Sequence, residues 1–284
     1  MISSLQESPA MVSSIYEFSA DDADVILVSS EPKPTEFRVH RCILAAASPF
    51  YRDMFALPQS TSHDKQLPVI PVSETSPTLD GLLRFVYPVP DPHISSLDEL
   101  VPILGAAVKY DFVAVIHTLR KLLLVPRFVK LAPTRVFAIA CRFDLEDEAR
   151  LASQHTLTVN ILDCPISEDL KYITAYSYHR LLDLHRRRAS AAQEILRLPQ
   201  ELKCSQCNGS GYSVFGAPKW WYEFERRARE ELAVRPTTDV IFEMSFLAQM
   251  ASAAGCQRCP GSVFDSIKYL QELKRKIDEL PATI

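Results

Sequence analysis

Residues 37–55 read FRVHRCILAAASPFYRDMF, and the change of rhythm inside this stretch decides the fold. Phe37 and Val39 alternate with Arg38 and His40, the period of a strand with one face inward. From Arg41 onward Ile43, Leu44 and Ala47 fall at helical spacing. Ser48-Pro49 ends that helix and starts another, with Ser as N-cap and Pro at the first helical position. Phe50, Met54 and Phe55 are expected to form the apolar side of the second helix.

Upstream, Asp24–Ser29 reads DVILVS, a short apolar strand entered through the acidic cluster Asp21, Asp22 and Asp24. The turn EPKPT, residues 31–35, reverses the chain, so the two strands are expected to pair as a hairpin. Downstream, residues 59–65 read as a polar loop. LPVIPV, residues 67–72, carries two prolines and suits an edge strand or a short one. Ser76-Pro77 opens a helix with Leu79, Leu82, Leu83 and Val86 on its apolar face, ended by the rigid YPVPDP run. Ser96 and Glu99 form a capping-box pattern ahead of Leu97, Leu100, Val101, Leu104, Ala107 and Val108. Lys109-Tyr110-Asp111 marks a break. A further helix follows over 113–125 with Val113, Ile116, Leu119, Leu122 and Leu123 inward.

In order, ADVILV, FRVHRCILAAASPFYRDMF, LLRFVY and AAVKYD resemble the signature segments of the BTB/POZ domain. The resemblance covers residues 20–125 and rests on Asp24, Phe37, His40, Leu44, Ser48, Phe50, Tyr87 and Tyr110. The YPVPDP loop stands where animal members carry a Tyr-x-Gly turn, and it is similar to the large fungal group of BTB proteins. The resemblance implies an α+β domain that self-associates or docks a protein partner. In transcription-factor members the residues matching Asp24 and Arg41 line a charged pocket near the dimer groove. Here an ordinary ion pair across the hairpin and helix is the equal alternative. Residues 11–18 are short for the N-terminal strand and helix of the animal-type swapped dimer. Other members recruit a cullin scaffold of ubiquitin ligases, which implies Val72, Glu74 and Phe112 as candidate contacts. For His40 the resemblance implies a role in the fold, the ordinary role of a lone histidine leaving a strand, and His117 is given the same reading.

The remaining chain reads as helical, so the expected fold class is α+β with a mostly α-helical C-terminal region. The expected domains are a lead-in at 1–19, the BTB/POZ domain at 20–125, a helical extension at 126–199 and a helical subdomain at 200–284. Helices are expected over 134–143 and 145–157, and from about Ser167 with Glu168 and Asp169 in its first turn. His185-Arg186-Arg187-Arg188 reads as a solvated helix face. Arg187-Arg188-Ala189-Ser190 also fits a basic-directed kinase consensus, making Ser190 a candidate phosphorylation site. Trp220, Trp221, Tyr222 and Phe224 open a helix running to about Val234. Another is expected from Thr238 to Ala254, ended by Gly255. In the last helix Val263, Ile267, Leu270, Leu273, Ile277 and Leu280 share one face, read as core rather than coiled coil.

The sharpest chemical signal is Cys204-Ser-Gln-Cys207 with Cys256-Gln-Arg-Cys259. Two CxxC knuckles can set four thiolates at the corners of a tetrahedron, the geometry of a closed structural zinc site. Gly209 and Pro260-Gly261 suit tight turns that turn backbone amides toward sulfur. The 48 residues between Cys207 and Cys256 exceed the roughly 15–20 of common zinc ribbons, so intervening helices must close the pair. Free thiols or a redox pair are the alternatives, although the strand–CxxC–helix setting of a thioredoxin is missing.

Composition narrows the function classes. The 284 residues are 47% hydrophobic and 23% charged, with a net charge of −4, which does not suit a general nucleic-acid or anionic-membrane binder. Glu223, Glu225, Glu230 and Glu231 weigh against nucleic acid at the cysteine cluster too. No apolar run approaches the roughly 20 residues that span a bilayer. MISSLQESPAMVSS lacks the basic start and apolar run of a secretory signal, so the expected location is intracellular, cytoplasmic or nuclear. The 7 glycines offer only the close pair Gly209 and Gly211, too few for a phosphate-cradling loop. Without HExxH, GxSxG or kinase motifs, no enzyme, catalytic residue or organic cofactor is expected. The partners expected are proteins: a second copy of the chain, and a cullin scaffold as a candidate. No kelch-like repeat or additional β-domain is present to hold a substrate. An oligomerisation or regulatory module of the nucleus, with no ligase link, is the alternative reading.

Overall fold

The computed structural model describes residues 18–30, 32–58, 67–197, 202–208 and 216–284. The readings for residues 1–17, the turn residue Glu31, the 59–65 loop, Gly209 and Gly211 lie outside the described residues. The described chain is α+β, a small sheet and many helices. It parts into two compact units between Leu123 and Leu124.

In the N-terminal unit β1 (Val25–Val28) pairs antiparallel with β2 (Glu36–Val39), from Val25 opposite Val39 to Val28 opposite Glu36. Alternation holds: Phe37 and Val39 are buried while Glu36 and Arg38 face out. Two helices follow at once, α1 (Arg41–Ala47) and α2 (Pro49–Ala56). His40 precedes α1 without capping it by its side chain. Asp24 supplies the missing acceptor, taking the Arg41 N–H on Oδ1 at 2.7 Å. Ser48 caps α2 by accepting the Tyr51 N–H at 3.1 Å. The buried side chain of α2 is Tyr51, whereas Phe50 is 43% exposed. The Tyr51 ring packs tilted among Tyr110, Phe112 and Phe55, so the centre of the apolar face lies one residue beyond Phe50.

β3 (Val69–Pro71) lies parallel to the other side of β1, giving the order β2-β1-β3. It is an edge strand, as its prolines require. Then come α3 (Ser76–Arg84), α4 (Leu97–Lys109) and α5 (Val113–Leu123). The Ser96–Glu99 capping box forms in both directions. α4 closes on Asp111 in the left-handed region, φ 55°, with the Phe112 N–H reaching the Ala107 carbonyl at 2.9 Å. α5 buries Val115, Leu119 and Leu123. Val113, expected inward, is 62% exposed, and His117 faces solvent rather than an apolar core.

The second unit begins with α6 (Pro126–Leu131), α7 (Pro133–Arg142) and α8 (Glu146–Thr156). α7 ends by the same device as α4. Asp144 has φ 55° and the Leu145 N–H meets the Ala140 carbonyl at 2.9 Å. The sequences match as well, Ala107-Val-Lys-Tyr-Asp-Phe112 and Ala140-Cys-Arg-Phe-Asp-Leu145. The helix expected from Ser167 is instead a 3-10 turn, Glu168–Tyr172. Arg135 and Arg142 hold Asp169 there, at 2.8 and 3.5 Å. Thr174 then caps the long α9 (Ala175–Ile195) by accepting the Ser177 N–H.

Next come α10 (Lys219–Val234), α11 (Met244–Ala253), α12 (Cys259–Asp265) and α13 (Ile267–Asp278). The helix expected from Thr238 begins only at Met244. Thr238 is buried and donates to Asp278 Oδ1 at 2.6 Å, a tertiary tie that holds residues 238–243 in turns. Gly255 closes α11 at φ 63°, as expected. The last expected helix is broken at Ser266, whose hydroxyl donates back to the Ser262 carbonyl at 2.7 Å. Val263, Leu270, Leu273 and Ile277 are core, while Ile267 at the break is half-exposed.

Trp220, Trp221 and Phe224 centre that core. It also takes Ala192 and Leu196 from the end of α9, so packing runs straight across the expected boundary at 199/200. Among the described residues no helix is long and apolar enough to cross a membrane.

Candidate functional site

The second unit brings both CxxC knuckles together. The Sγ atoms of Cys204, Cys207, Cys256 and Cys259 all lie within 4.8 Å of one another. Cys204–Cys256 and Cys207–Cys259 are each 3.8 Å apart, and none of the four is in a disulfide. A tetrahedral ion with metal–sulfur bonds of about 2.3 Å sets sulfurs about 3.8 Å apart. The four thiols therefore fit a metal ion, and the chemistry of the donor set suits zinc.

The first knuckle is a turn tied by Asn208. Its Oδ1 accepts the Cys204 N–H at 2.5 Å, and its Nδ2 donates to the Leu202 and Gly216 carbonyls at 2.9 and 2.8 Å. The second knuckle runs into α12, whose first residue is Cys259. Ser262, one turn on, joins the two halves. It donates to the Lys203 carbonyl at 2.7 Å and accepts the Trp220 indole N–H at 2.9 Å. Asn208 and Ser262 escaped the sequence reading, since neither carries a spacing signal and only the fold brings them to the knuckles.

α10 starts on the cluster. The Lys219 N–H donates to Cys207 Sγ at 3.4 Å, and the Trp220 backbone N–H faces the Cys259 sulfur. A helix N-terminus aimed at sulfur favours the thiolate. The cysteines differ nonetheless. The Arg258 backbone N–H, first among several donors, draws the Cys256 thiol down to about 7. Burial pushes the Cys259 and Cys207 thiols up. Cys204, Cys256 and Cys259 are buried, and Cys207 is half-exposed.

The N-terminal unit explains its signature residues by bonds. Ser48, fully buried, donates to the Tyr110 carbonyl at 2.6 Å and so ties α2 to the end of α4. Tyr87 accepts the His40 N–H at 2.8 Å and sits 3.2 Å from His40 Nδ1. His40 Nε2 lies 3.2 Å from Asp22, and this bond holds the Asp22 carboxyl below the usual carboxylate range. His40 is thus packed and bonded on both ring nitrogens. Leu44 and Phe37 are core.

Asp24 and Arg41 do not meet as charged side chains. Asp24 takes the Arg41 backbone N–H, and the Arg41 guanidinium lies 5.4 Å over the Phe55 ring. Of the candidate cullin contacts, Phe112 is 1% exposed and packs against Tyr51, and Val72 is buried. Neither offers a side chain to a partner. Glu74 lies at the same corner with its carboxylate engaged. Tyr110 donates to it at 2.5 Å and Lys109 Nζ at 2.9 Å, while Lys109 also reaches Ser73 Oγ at 2.6 Å. These bonds outweigh burial and lower the Glu74 pKa.

Ser190 is exposed in the C-terminal third of α9. Arg186 and Arg187 are solvated, as read from the run, but His185 and Arg188 are not. Arg188 is buried and donates to the carbonyls of Pro236, Ile277, Leu280 and Pro281. His185 is buried against Thr156.

No curated protein matches the chain. Residues 17–125 match the family model for the BTB/POZ domain, so the chain carries at its N-terminus a BTB/POZ domain, a protein-interaction module.

Proposed function

We propose that this protein is a non-enzymatic docking protein whose BTB/POZ domain presents the corner between α4 and α5 to a protein partner, and whose C-terminal unit is clasped by one structural zinc ion. The observation that carries the docking reading is the fixed acid at that corner. Lys109, Tyr110 and Ser73 organise Glu74, and the neighbouring elements carry exposed apolar side chains: Phe50 of α2, 43% exposed, Val108 of α4, 43%, and Val113 of α5, 62%. The Phe50 ring lies tilted against Tyr110, centroids 5.4 Å apart. Exposed apolar side chains beside an acid already held in one geometry lower the ordering cost of binding a partner.

A cullin scaffold is the partner that the domain resemblance suggests, and the glycine-free Tyr87–Pro92 loop supports the fungal grouping. The test is calorimetric titration of the full chain with a cullin N-terminal domain, repeated with Val113→Asp and Phe50→Ala. Val113 is mostly exposed, and because Phe50→Ala also removes ring contacts with Tyr51 and Tyr110, circular dichroism of each variant accompanies the titration. Sub-micromolar binding lost in both variants supports the adaptor role. Absence of binding by the folded chain, with self-association in sedimentation, favours an oligomerisation or regulatory module. Metal analysis of the purified chain tests the second half of the reading, with about one zinc per chain expected.

A further inference from the structure

We infer that the cysteine clasp is also a peroxide-responsive site, in which Cys207 is oxidised first and then linked to Cys259 of the opposite knuckle, expelling the metal. This rests on reading the four cysteines as a metal site. Cys204, Cys256 and Cys259 are buried residues, and Cys207 is the most open of the four to a hydroperoxide. The Lys219 N–H donates to its Sγ at 3.4 Å and fixes the sulfur at the start of α10. Cys259 Sγ already stands 3.8 Å away, so forming the bond needs an approach of about 1.8 Å.

The chemistry balances. The Cys207 thiolate attacks the peroxide O–O bond and becomes a sulfenic acid as hydroxide leaves. The Cys259 thiolate then displaces a second hydroxide from that sulfur. Two thiolates thus give two electrons to one peroxide and become a disulfide. Cys204 and Cys256 remain as two thiolates, too few to hold a tetrahedral ion.

The choice of partner has a structural consequence. Both 3.8 Å pairs, Cys204–Cys256 and Cys207–Cys259, join one knuckle to the other. Oxidation along either line replaces the metal by a covalent bridge across the same gap. The Ser262 link from Lys203 to Trp220 can then stay closed. The site loses its metal without opening.

The test uses the zinc-loaded full chain with hydrogen peroxide as probe. Zinc release is read with a chromogenic chelator, the product by non-reducing peptide mapping, and packing by Trp emission. We expect one zinc released per chain, a peptide holding Cys207 joined to one holding Cys259, and native-like Trp emission. Cys42→Ser, which removes the exposed thiol of the other unit, leaves the release unchanged. Cys207→His, which keeps a ligand but removes the reachable sulfur, loses the fast release. A Cys204–Cys207 bridge, opening of the Trp core, or retention of zinc overturns the inference. A chain purified without zinc refutes the metal reading instead.

Discussion

Replacing Arg188 by Met should cost the C-terminal unit about 3 kcal/mol, although the sequence gives this residue the look of a solvated charge. Its guanidinium donates to Pro236 O at 2.8 Å, Ile277 O at 3.0 Å and Pro281 O at 3.1 Å, and also to Leu280 O. Met keeps the apolar stem and volume but removes the charged donor, so Pro236 O loses its Arg188 bond and Ile277 O keeps only backbone donors such as the Leu280 N–H at 3.2 Å. The bonds to Pro236 and Ile277 are fully buried, and a hydrogen bond from a charged donor contributes about 1.5–3 kcal/mol. Two at about 2 kcal/mol give about 4, while the carbonyls nearer the rim can turn to water. Burying a guanidinium carries a desolvation cost, and removing the charge returns about 1 kcal/mol of it. The assay is urea unfolding followed by Trp emission. Trp220 and Trp221 are the chain's 2 tryptophans and both are buried in this unit, so the signal reports on it alone. Arg188→Lys, which keeps charge but not the planar fork, should fall between wild type and Arg188→Met. A loss under about 1 kcal/mol in Arg188→Met would refute the account of Arg188 as the hub joining α9 to the C-terminal carbonyls.

Other measurements follow from the same geometry. Thr156 donates its hydroxyl hydrogen to the Ser153 carbonyl at 2.6 Å, so His185 Nε2–H donates to Thr156 Oγ1, leaving a buried Nδ1 to take any further proton. Burial draws the His185 pKa from 6.5 to about 4. The unfolded chain therefore binds the proton first; stability is full above pH 6.5 and falls toward pH 4 by up to about 3 kcal/mol. His185→Gln should flatten that part of the slope in urea melts at stepped pH, and an unchanged slope would exclude His185 as its source. Tyr110→Phe, which unties Glu74, should lower the N-terminal unit's stability by about 1–2 kcal/mol in melts followed by circular dichroism. The Glu74 pKa is lowered in the fold, so its contribution should be present above pH 4.5 and fade as pH falls below it. A basic-directed kinase should modify a peptide spanning Ser190 far faster than the folded chain, because Arg188 is buried in the fold; equal rates would show that α9 opens readily.

Much of the N-terminal unit was legible in sequence order because its signals are local. The hairpin follows from alternation in Phe37–Val39, the helix starts from Ser48-Pro49 and the Ser96–Glu99 box, and each depends on neighbours within a few residues. Where pattern and fold part, nearby positions exchange the core place. Tyr51 rather than Phe50 is core, and Val115 rather than Val113. Periodicity places an apolar stripe only to within a residue, and packing chooses its centre. The failures at Ser167, Thr238 and Ser266 are of another kind. In each a side chain overrules local helix propensity: Asp169 held by two arginines, Thr238 held by Asp278, and Ser266 bonding back to Ser262.

The cysteine spacing by itself identified four candidate metal ligands, because CxxC is a local geometric unit. That the two knuckles meet across 48 residues was decided by the tertiary structure, since only the packing of α10 to α13 around Trp220 and Trp221 closes that distance. The same holds for charge. An arginine run looks uniform in sequence, yet Arg187 faces water while Arg188 is buried under the C-terminal carbonyls. Burial depends on what distant segments lay over a side chain, and no local pattern carries that information.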